Sequence, residues 1–207
     1  GIDSLSTPLH QAVKKLCEGP DGLYYALLFQ GGITCFDKDI EKFLPVRFDK
    51  PLELKDILDF CWNDGSLYLV TSQGLFESRI VRKTEGKHDF VLCLLNPEPV
   101  VRGKVAHLCS DGKTNLYFSV NQRKVVHYDL VAKKTSLIKE YSVVNRLFLR
   151  HGYLWICRLW DDIICYDLKT NEERVISMEG KDQSEFSNSY VTDLVLKDNR
   201  TFYLTTW

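Results

Sequence analysis

The segment HGYLWICRLWDDIICYDLKT, from His151 to Thr170, concentrates residue types that can do chemistry. It holds two cysteines, two tryptophans and two adjacent aspartates around a predicted tight turn. Such a set could form a metal clip, a redox pair or a binding pocket. The choice depends on the elements that position these side chains, and those elements recur along the chain.

The chain repeats one pattern five times, at intervals of about 40–50 residues. In each copy an apolar pair three residues apart precedes an Asp/Asn/Gly-rich turn of the kind that closes hairpins. A strand that opens with an aromatic pair follows. The spacing of the apolar pairs could be helical, but five recurrences that each stop at a turn favour a strand. The apolar pairs are Val13/Leu16, Ile57/Phe60, Val105/Leu108, Val144/Leu147 and Val191/Leu194, and the aromatic pairs are Leu23-Tyr24, Leu67-Tyr68, Leu116-Tyr117, Leu154-Trp155 and Phe202-Tyr203.

Two further strands complete each unit. The segments GGITCFDKDIEKF, RKVVHYDLVAKKT and DDIICYDLKTNEE align without a gap, each as a short strand that ends in aromatic-Asp before a polar turn. A fourth strand is predicted in KFLPVRF, DFVLCLL, SLIKEY and RVISM. Four short strands per unit are typical of a β-propeller blade.

We therefore predict an all-β fold of four-stranded antiparallel propeller blades, about four and a half of them. The chain would be a partial arc of a larger, seven-bladed propeller, and its exposed end faces would need to be covered. The predicted blades cover residues 8–50, 51–100, 101–141, 142–180 and, truncated, 181–207.

Composition excludes several classes of function. With 27 basic and 28 acidic side chains the formal net charge is −1, which leaves no electrostatic footprint for nucleic acid or an anionic membrane. No apolar run approaches the roughly 20 residues of a membrane helix. The opening GIDSLSTPLHQ does not have the pattern of a signal peptide, so localisation is not readable from it. A first residue of Gly rather than Met suggests a piece of a longer protein.

The repeat consensus is carried best by ILDFCWNDGSLYLVTSQGLF, residues 57–76, and YVTDLVLKDNRTFYLTTW, residues 190–207. It resembles the two-component-regulator propeller repeat, whose core ends in Gly-Leu, as Ser72-Gln73-Gly74-Leu75 does. Val70 and Leu204 stand where that repeat has a glycine before threonine. The common register of five copies makes the resemblance specific over essentially the whole chain.

The resemblance implies the periplasmic sensor domain of a hybrid two-component histidine kinase, as in Bacteroides-type bacteria. The parent protein would be anchored in the inner membrane and would detect oligosaccharides to regulate polysaccharide-utilisation genes. The sequence has no phosphoacceptor helix, nucleotide-binding glycine box or helix-turn-helix, so the resemblance implies an input domain with neither catalysis nor a cofactor. An interaction scaffold or homodimer surface and a propeller lyase or glycosidase remain the alternatives.

The cysteines and histidines favour structural roles. Cys17, Cys61 and Cys109 share one slot of the repeat with Phe148 and Val195, as expected of buried thiols that fill space between blades. Cys35 and Cys165 share a second slot with His127. A disulfide between Cys157 and Cys165 requires a three-residue hairpin loop, because a four-residue loop puts them out of register. The five histidines, which show no metal-site spacing and are predicted to lie in turns or the core, are His10, His88, His107, His127 and His151.

Three aspartates recur at the ends of third strands, at positions 37, 129 and 167. A glycosidase would use two such carboxylates as acid and base. Their regular place before Lys-rich turns predicts instead that the side chains cap those turns. An enzyme would need a pair outside the repeat pattern, and Asp161 and Asp162 are the candidates.

The turns between second and third strands differ most between copies. Equivalent turns lie on one face of a propeller, so their side chains should converge there. Aromatic, amide and guanidinium groups together suit sugar recognition, although such turns could also be merely solvated. The predicted ligand-binding residues are Gln30, Gln73, Gln122, Arg123, Arg158, Trp160, Asp161 and Trp207.

Overall fold

A computed structural model describes residues 12–48, 57–83, 89–176, 190–198 and 201–206. All regular structure in these ranges is β-strand. Among them no helix has the length and apolar character needed to cross a membrane. The chain forms two compact units, unit 1 being Gly1–Ala106 with Gly112–Thr114 and unit 2 being His107–Asp111 with Asn115–Trp207.

Unit 1 contains the first two blades. The first blade has the strand order β1-β2-β3-β4 and the second the order β5-β6-β7-β8. Within each blade, neighbouring strands are antiparallel. The strands are β1 Val13–Glu18, β2 Tyr24–Leu28, β3 Ile33–Asp37, β4 Lys42–Phe48, β5 Ile57–Asn63, β6 Ser66–Thr71, β7 Gly74–Lys83, β8 Asp89–Leu94 and the short β9 Val101–Arg102.

Unit 2 continues the pattern with two four-stranded sheets and a final hairpin, β18-β19. The sheets have the orders β10-β11-β12-β13 and β14-β15-β16-β17. The first residues of β10 belong to unit 1. The strands are β10 Val105–Ser110, β11 Asn115–Val120, β12 Lys124–Asp129, β13 Lys134–Glu140, β14 Val144–Arg150, β15 Tyr153–Arg158, β16 Ile163–Asp167, β17 Glu173–Ile176, β18 Val191–Leu196 and β19 Phe202–Thr206.

The predicted strand pattern is confirmed, with one error of register in the first copy. Tyr25, not Tyr24, faces Cys17 across the first hairpin, just as Tyr68 faces Cys61 in the second. The cause is the longer first turn, where the Gly19 N–H donates to the carbonyl of Leu23. The extra residue shifts the aromatic position by one.

The second blade differs from the others at the start of its long third strand, β7, and at its outer strand, β8. Gly74 lies so close to β9 that a Cβ there would come within 2.1 Å of the Val101 carbonyl oxygen, at a φ of +142°. Only glycine tolerates this approach, which explains the glycine of the Gly-Leu motif. At the outer edge, residues 46–48 of β4 pair in parallel with residues 90–92 of β8. The two blades of unit 1 therefore form one nine-stranded sheet.

Within each unit, an aromatic side chain on a second strand packs against the next blade. In unit 1, Tyr25 contacts Trp62 of the next blade with ring centroids 5.1 Å apart. In unit 2, Trp155 contacts Phe202 of the next blade at 5.2 Å. Tyr25 and Trp155 are both buried. The aromatic pattern of the sequence is thus the inter-blade core.

The seven cysteines are free thiols, and the disulfide alternative is wrong. The loop from β15 to β16 has four residues, so Cys157 faces Ile163 while Cys165 faces Trp155. Burial raises the pKa of Cys157 to about 12, which makes it a poor nucleophile at neutral pH. The cysteines as a group are less buried than predicted, since Cys17, Cys93 and Cys109 are only half-buried.

The predicted turn caps are confirmed at all three aspartates. The Asp129 carboxylate accepts the N–H groups of Val131 and Ala132 at 2.8 and 2.9 Å. Asp167 caps the equivalent turn of the fourth blade in the same way. Asp37, which caps the first, is buried and also faces Arg82 of the second blade at 3.6 Å.

Replacing Asp129 or Asp167 by Ala should lower the free energy of unfolding by about 1 kcal/mol, because the turn N–H groups lose a charged acceptor. Asp37→Ala should cost more, about 2–3 kcal/mol, since the Asp37 side chain is itself buried and also faces the Arg82 guanidinium. The exposed Asp39→Ala is the matched control and should change stability by less than about 0.5 kcal/mol. Chemical denaturation measures all four. Equal losses for Asp37→Ala and Asp39→Ala would contradict the capping role.

Candidate ligand-binding site

The turns between second and third strands are where the sequence predicts a ligand, and six of the predicted residues are exposed there: Gln30, Gln73, Gln122, Arg123, Trp160 and Asp161. Gln30 lies in the turn between β2 and β3, and Gln73 in the turn between β6 and β7, both in unit 1. Gln122 and Arg123 lie in the turn between β11 and β12 of unit 2. Trp207 is outside the described residues.

The fourth-blade turn, residues 159–162, is held by its own charged side chains. The Arg158 guanidinium donates through Nη1 to Asp161 Oδ2 at 2.6 Å and through Nε to the carbonyl of Asp162 at 3.0 Å. The other oxygen of Asp161 accepts the N–H of Asp162 at 2.8 Å. These bonds order the turn before any ligand arrives.

Trp160 stands at the tip of this locked turn. Its backbone is left-handed, with a φ of +61°, which is uncommon for a bulky residue and needs support from its surroundings. The side chain is 66% exposed, although burying an indole ring contributes more than burying almost any other side chain. An ordered turn thus presents an aromatic face to solvent.

A connector of three residues, Tyr141 to Val143, links β13 to β14 and, with the start of β14, lies between this turn and the equivalent turn of the third blade. The Val144 N–H donates to the Gln122 carbonyl at 2.7 Å, and the Tyr141 N–H donates to the Arg123 carbonyl at 3.0 Å. On its other side, the Val143 carbonyl accepts the Leu159 N–H at 2.7 Å. Backbone hydrogen bonds therefore run from one turn to the next within unit 2.

The Ser142 hydroxyl adds a side-chain link, since it donates to Asp161 Oδ2 at 3.2 Å. The structure thus brings Gln122 and Arg123 into one continuous edge with Arg158, Trp160 and Asp161. Gln30 and Gln73 lie on equivalent turns of unit 1 and stay predictions.

Beneath this edge, the outer strands of the two blades are tied by Glu173. Its carboxylate accepts hydrogen bonds from Lys139 Nζ and the Tyr141 hydroxyl. Burial acts to raise the pKa of Glu173, but these two hydrogen bonds and the positive charges of Lys139 and Arg158 outweigh it and hold the pKa below 4.5. Hydrogen bonds therefore hold the connector both through its backbone and through the side chain of its first residue, Tyr141.

The carboxylates of the turn are not arranged as an acid–base pair. Both oxygens of Asp161 are engaged by Arg158, Ser142 and the Asp162 N–H. A general acid must instead be able to hold a proton in reach of its substrate. Asp161 is placed to order the turn.

Histidines of the described ranges have structural surroundings. His127 stacks on Tyr117 with ring centroids 5.2 Å apart, and its Nε2 is 2.6 Å from Asn115 Oδ1. His107 Nδ1 is 3.0 Å from the Ser119 hydroxyl, and His151 lies in a turn. Over the part of the chain that the structure describes, no group of three His, Cys, Asp or Glu could hold a metal ion.

One recurring feature of the first strands is visible in the sequence but was not predicted from it. Every first strand carries an ionisable residue directly before the second member of its apolar pair. Four of the five lie at a β-bulge, where the pairing register with the second strand shifts, and the fifth has a φ of +55°. The signal, apolar-x-charged-apolar, is visible in the alignment of the copies. The five residues are Lys15, Asp59, His107, Arg146 and Asp193.

Comparison with known proteins gives matches to structures alone, since no protein-family model and no curated protein matches the chain. The extracellular domain of a B. thetaiotaomicron protein described as a hybrid two-component system aligns with 94% of this chain and 27% of its own, at a TM-score of 0.71 and 13% identity. A second such domain from that bacterium covers the same shares, at 0.57 and 14%.

An auxiliary nutrient binding protein from B. thetaiotaomicron VPI-5482 aligns with 94% of this chain and 52% of its own, at a TM-score of 0.61 and 15% identity. The chain spans about a quarter of the length of the two extracellular domains. The predicted likeness to Bacteroides two-component sensor domains is confirmed for the fold, as is the blade architecture.

Proposed function

We propose that this chain belongs to an extracytoplasmic ligand-sensing domain of a two-component system and that it binds an oligosaccharide. The observation that carries the proposal is the exposed Trp160 on a turn that Arg158 and Asp161 hold in one conformation. The structural likeness to extracellular domains of two-component proteins, and to a nutrient binding protein, supports a sensing role.

The residues of this edge match the surface of a sugar. The apolar face of a pyranose ring packs on an exposed indole, and its hydroxyls take hydrogen bonds from planar amides, guanidinium groups and carboxylates. Trp160 supplies the ring, Asp161 an acceptor, and Gln122 and Arg123 the adjacent polar groups. Because Arg158 already orders the turn, the binding free energy is not spent on ordering it.

In the proposed role the domain binds the ligand and passes on the signal, and it has neither a catalytic activity nor a cofactor. The parent protein would be membrane-anchored and periplasmic, and ligand binding here would be passed to a kinase elsewhere in the protein. The engaged oxygens of Asp161 disfavour the glycosidase alternative. A glycan-cleaving activity that is lost in Asp161→Asn would revive it.

Trp160→Ala should weaken binding of the recognised oligosaccharide by about tenfold or more, since an aromatic contact is worth about 1.5 kcal/mol. Titration calorimetry against a panel of glycan fragments identifies the ligand and measures the loss. The matched control is Tyr153→Ala, which removes an exposed aromatic residue from the start of β15, the strand whose other end leads into the turn. Unchanged affinity in Trp160→Ala, or an equal loss in Tyr153→Ala, would contradict this site.

A further inference from the structure

Arg123 brings an available positive charge to the binding edge, which Gln122 and Arg123 form with the fourth-blade turn. The other arginine of this edge is already engaged, because Arg158 pairs with Asp161 at 2.6 Å. Arg123 is exposed, and among the residues that the structure describes its side chain takes part in no ion pair and no hydrogen bond. A ligand can therefore reach the Arg123 guanidinium without displacing a partner within those residues.

The backbone of Arg123 is fixed on both sides. Its N–H donates to the Val120 carbonyl at 3.2 Å and closes the turn, and its own carbonyl accepts the Tyr141 N–H at 3.0 Å. Asn121 and Gln122, at the centre of the turn, are left-handed with φ values of +53° and +55°, as a type I′ hairpin turn requires. Only the Arg123 side chain has to be ordered when a ligand binds.

A single peptide group bridges this turn to the fourth-blade turn. The peptide that joins Val143 to Val144 donates its N–H to the Gln122 carbonyl and accepts the Leu159 N–H, each at 2.7 Å. The Gln122 carbonyl oxygen and the Leu159 nitrogen are therefore at most about 8 Å apart. Trp160 directly follows Leu159, so a ligand with one ring on the indole has its neighbouring ring within reach of the Arg123 turn.

The charges closest to Arg123 in the fold do not cancel its own. Lys124 lies directly opposite Glu140 in the β12–β13 ladder, so these two charges balance each other. Asp162, a further carboxylate of the fourth-blade turn, is half-buried, whereas Arg123 is exposed. The charge that the binding edge offers to a ligand is therefore positive.

We propose that the oligosaccharide bound at this edge is acidic, with the carboxylate or sulfate group of one sugar bound by Arg123 while the neighbouring ring packs on Trp160. This inference rests on the proposed function, because it names the chemical class of ligand for the same site. A planar guanidinium can donate two parallel hydrogen bonds to such a group. These charge-assisted bonds are stronger than the neutral bonds to a sugar hydroxyl, so Arg123 selects among oligosaccharides as well as adding affinity.

Titration calorimetry with matched ligands tests this selection. The probes are oligomers of galacturonic, glucuronic and mannuronic acid, each beside its carboxyl-reduced counterpart, and sulfated oligosaccharides beside their desulfated counterparts. The wild type should bind the acidic member of one pair about tenfold more tightly than the neutral member, because a hydrogen bond to a charged group contributes more than a neutral one. The kind of pair that shows this preference distinguishes a carboxylate from a sulfate.

Variants assign the preference to Arg123. Arg123→Gln keeps a hydrogen-bond donor but loses the charge, so it should bind both members of the pair about equally. The control is Arg150→Gln, at an exposed arginine that ends β14, the strand whose first residue bonds to the Gln122 carbonyl. This control should keep the preference of the wild type. Circular dichroism checks that both variants are folded, as expected for changes at exposed positions.

The outcomes separate this inference from the proposed function. Trp160→Ala should weaken binding of both members of a pair, since the ring contact does not depend on charge. Binding of neutral oligosaccharides alone, equal wild-type affinities for both members of each pair that binds, or a preference that Arg123→Gln retains would overturn the acidic ligand at Arg123 and leave the proposed function standing. A chain that binds neither acidic nor neutral oligosaccharides would overturn both.

Discussion

Trp155→Ala should lower the free energy of unfolding by about 3–5 kcal/mol, because it empties a filled site between two blades. Trp155 is buried and contacts Phe202 of the next blade, with Cys157, Ile163 and Leu194 in the same core cluster. Trp160→Ala, in the same hairpin, should change stability by less than about 0.5 kcal/mol, because that ring is exposed.

Urea denaturation of both variants measures this difference. The two variants are matched, because each removes one indole side chain and the two tryptophans lie in β15 and in the loop that follows it. Similar losses for the two variants would mean that the packing role and the surface role have been assigned to the wrong tryptophans. A loss confined to Trp155→Ala supports the blade-to-blade core and leaves Trp160 free for binding.

Lys15→Met should lower the free energy of unfolding by about 2–3 kcal/mol, because it leaves the buried Asp59 carboxylate without its counter-ion. Lys15 Nζ also donates to the Phe60 carbonyl at 2.7 Å and lies over the Phe60 ring. The neighbouring Lys14→Met is the control, since Lys14 Nζ donates to the carbonyl of the exposed Leu58.

The same pair predicts a dependence on pH. Burial acts to lower the pKa of Lys15, but the Asp59 carboxylate outweighs it and raises the pKa above the ordinary 10.5. A raised folded-state pKa adds stability that is complete below pH 10.5 and is lost as the pH rises through the folded-state value. The difference in the free energy of unfolding between the wild type and Lys15→Met should therefore shrink as the pH rises through this value, as denaturation at several alkaline pH values measures. Parallel curves for the two proteins would contradict the ion pair.

Local patterns predicted most of the fold. The strands could be predicted from the five apolar pairs and the aromatic segments, because a strand with one buried face alternates apolar and polar side chains. The turns could be predicted because Asn, Asp and Gly accept the left-handed backbone of hairpin turns. The caps at Asp129 and Asp167 followed from their repeated place at strand ends. The first-copy register failed at Gly19–Leu23, because turn length cannot be read from the residue types alone.

Long-range and turn-specific features could not be predicted. The parallel pairing of β4 with β8 joins edge strands of different repeats, and their partner choice depends on how the blades pack. The Arg158–Asp161 ion pair spans a turn with a left-handed backbone at Trp160, a conformation that the residue types do not predict. Of the predicted ligand-binding residues at the fourth-blade turn, Arg158 and Asp161 therefore order the turn and Trp160 is presented to solvent.

The most direct test of the proposed binding edge is the indole region of the ¹H–¹⁵N spectrum. The chain has four tryptophans, so each gives one indole N–H signal, and Trp160→Phe assigns the one at the turn. On titration with the oligosaccharide that binds best, the Trp160 signal should shift saturably while those of the buried Trp155 and half-buried Trp62 stay in place. Saturable binding that leaves the Trp160 signal unmoved would contradict the account.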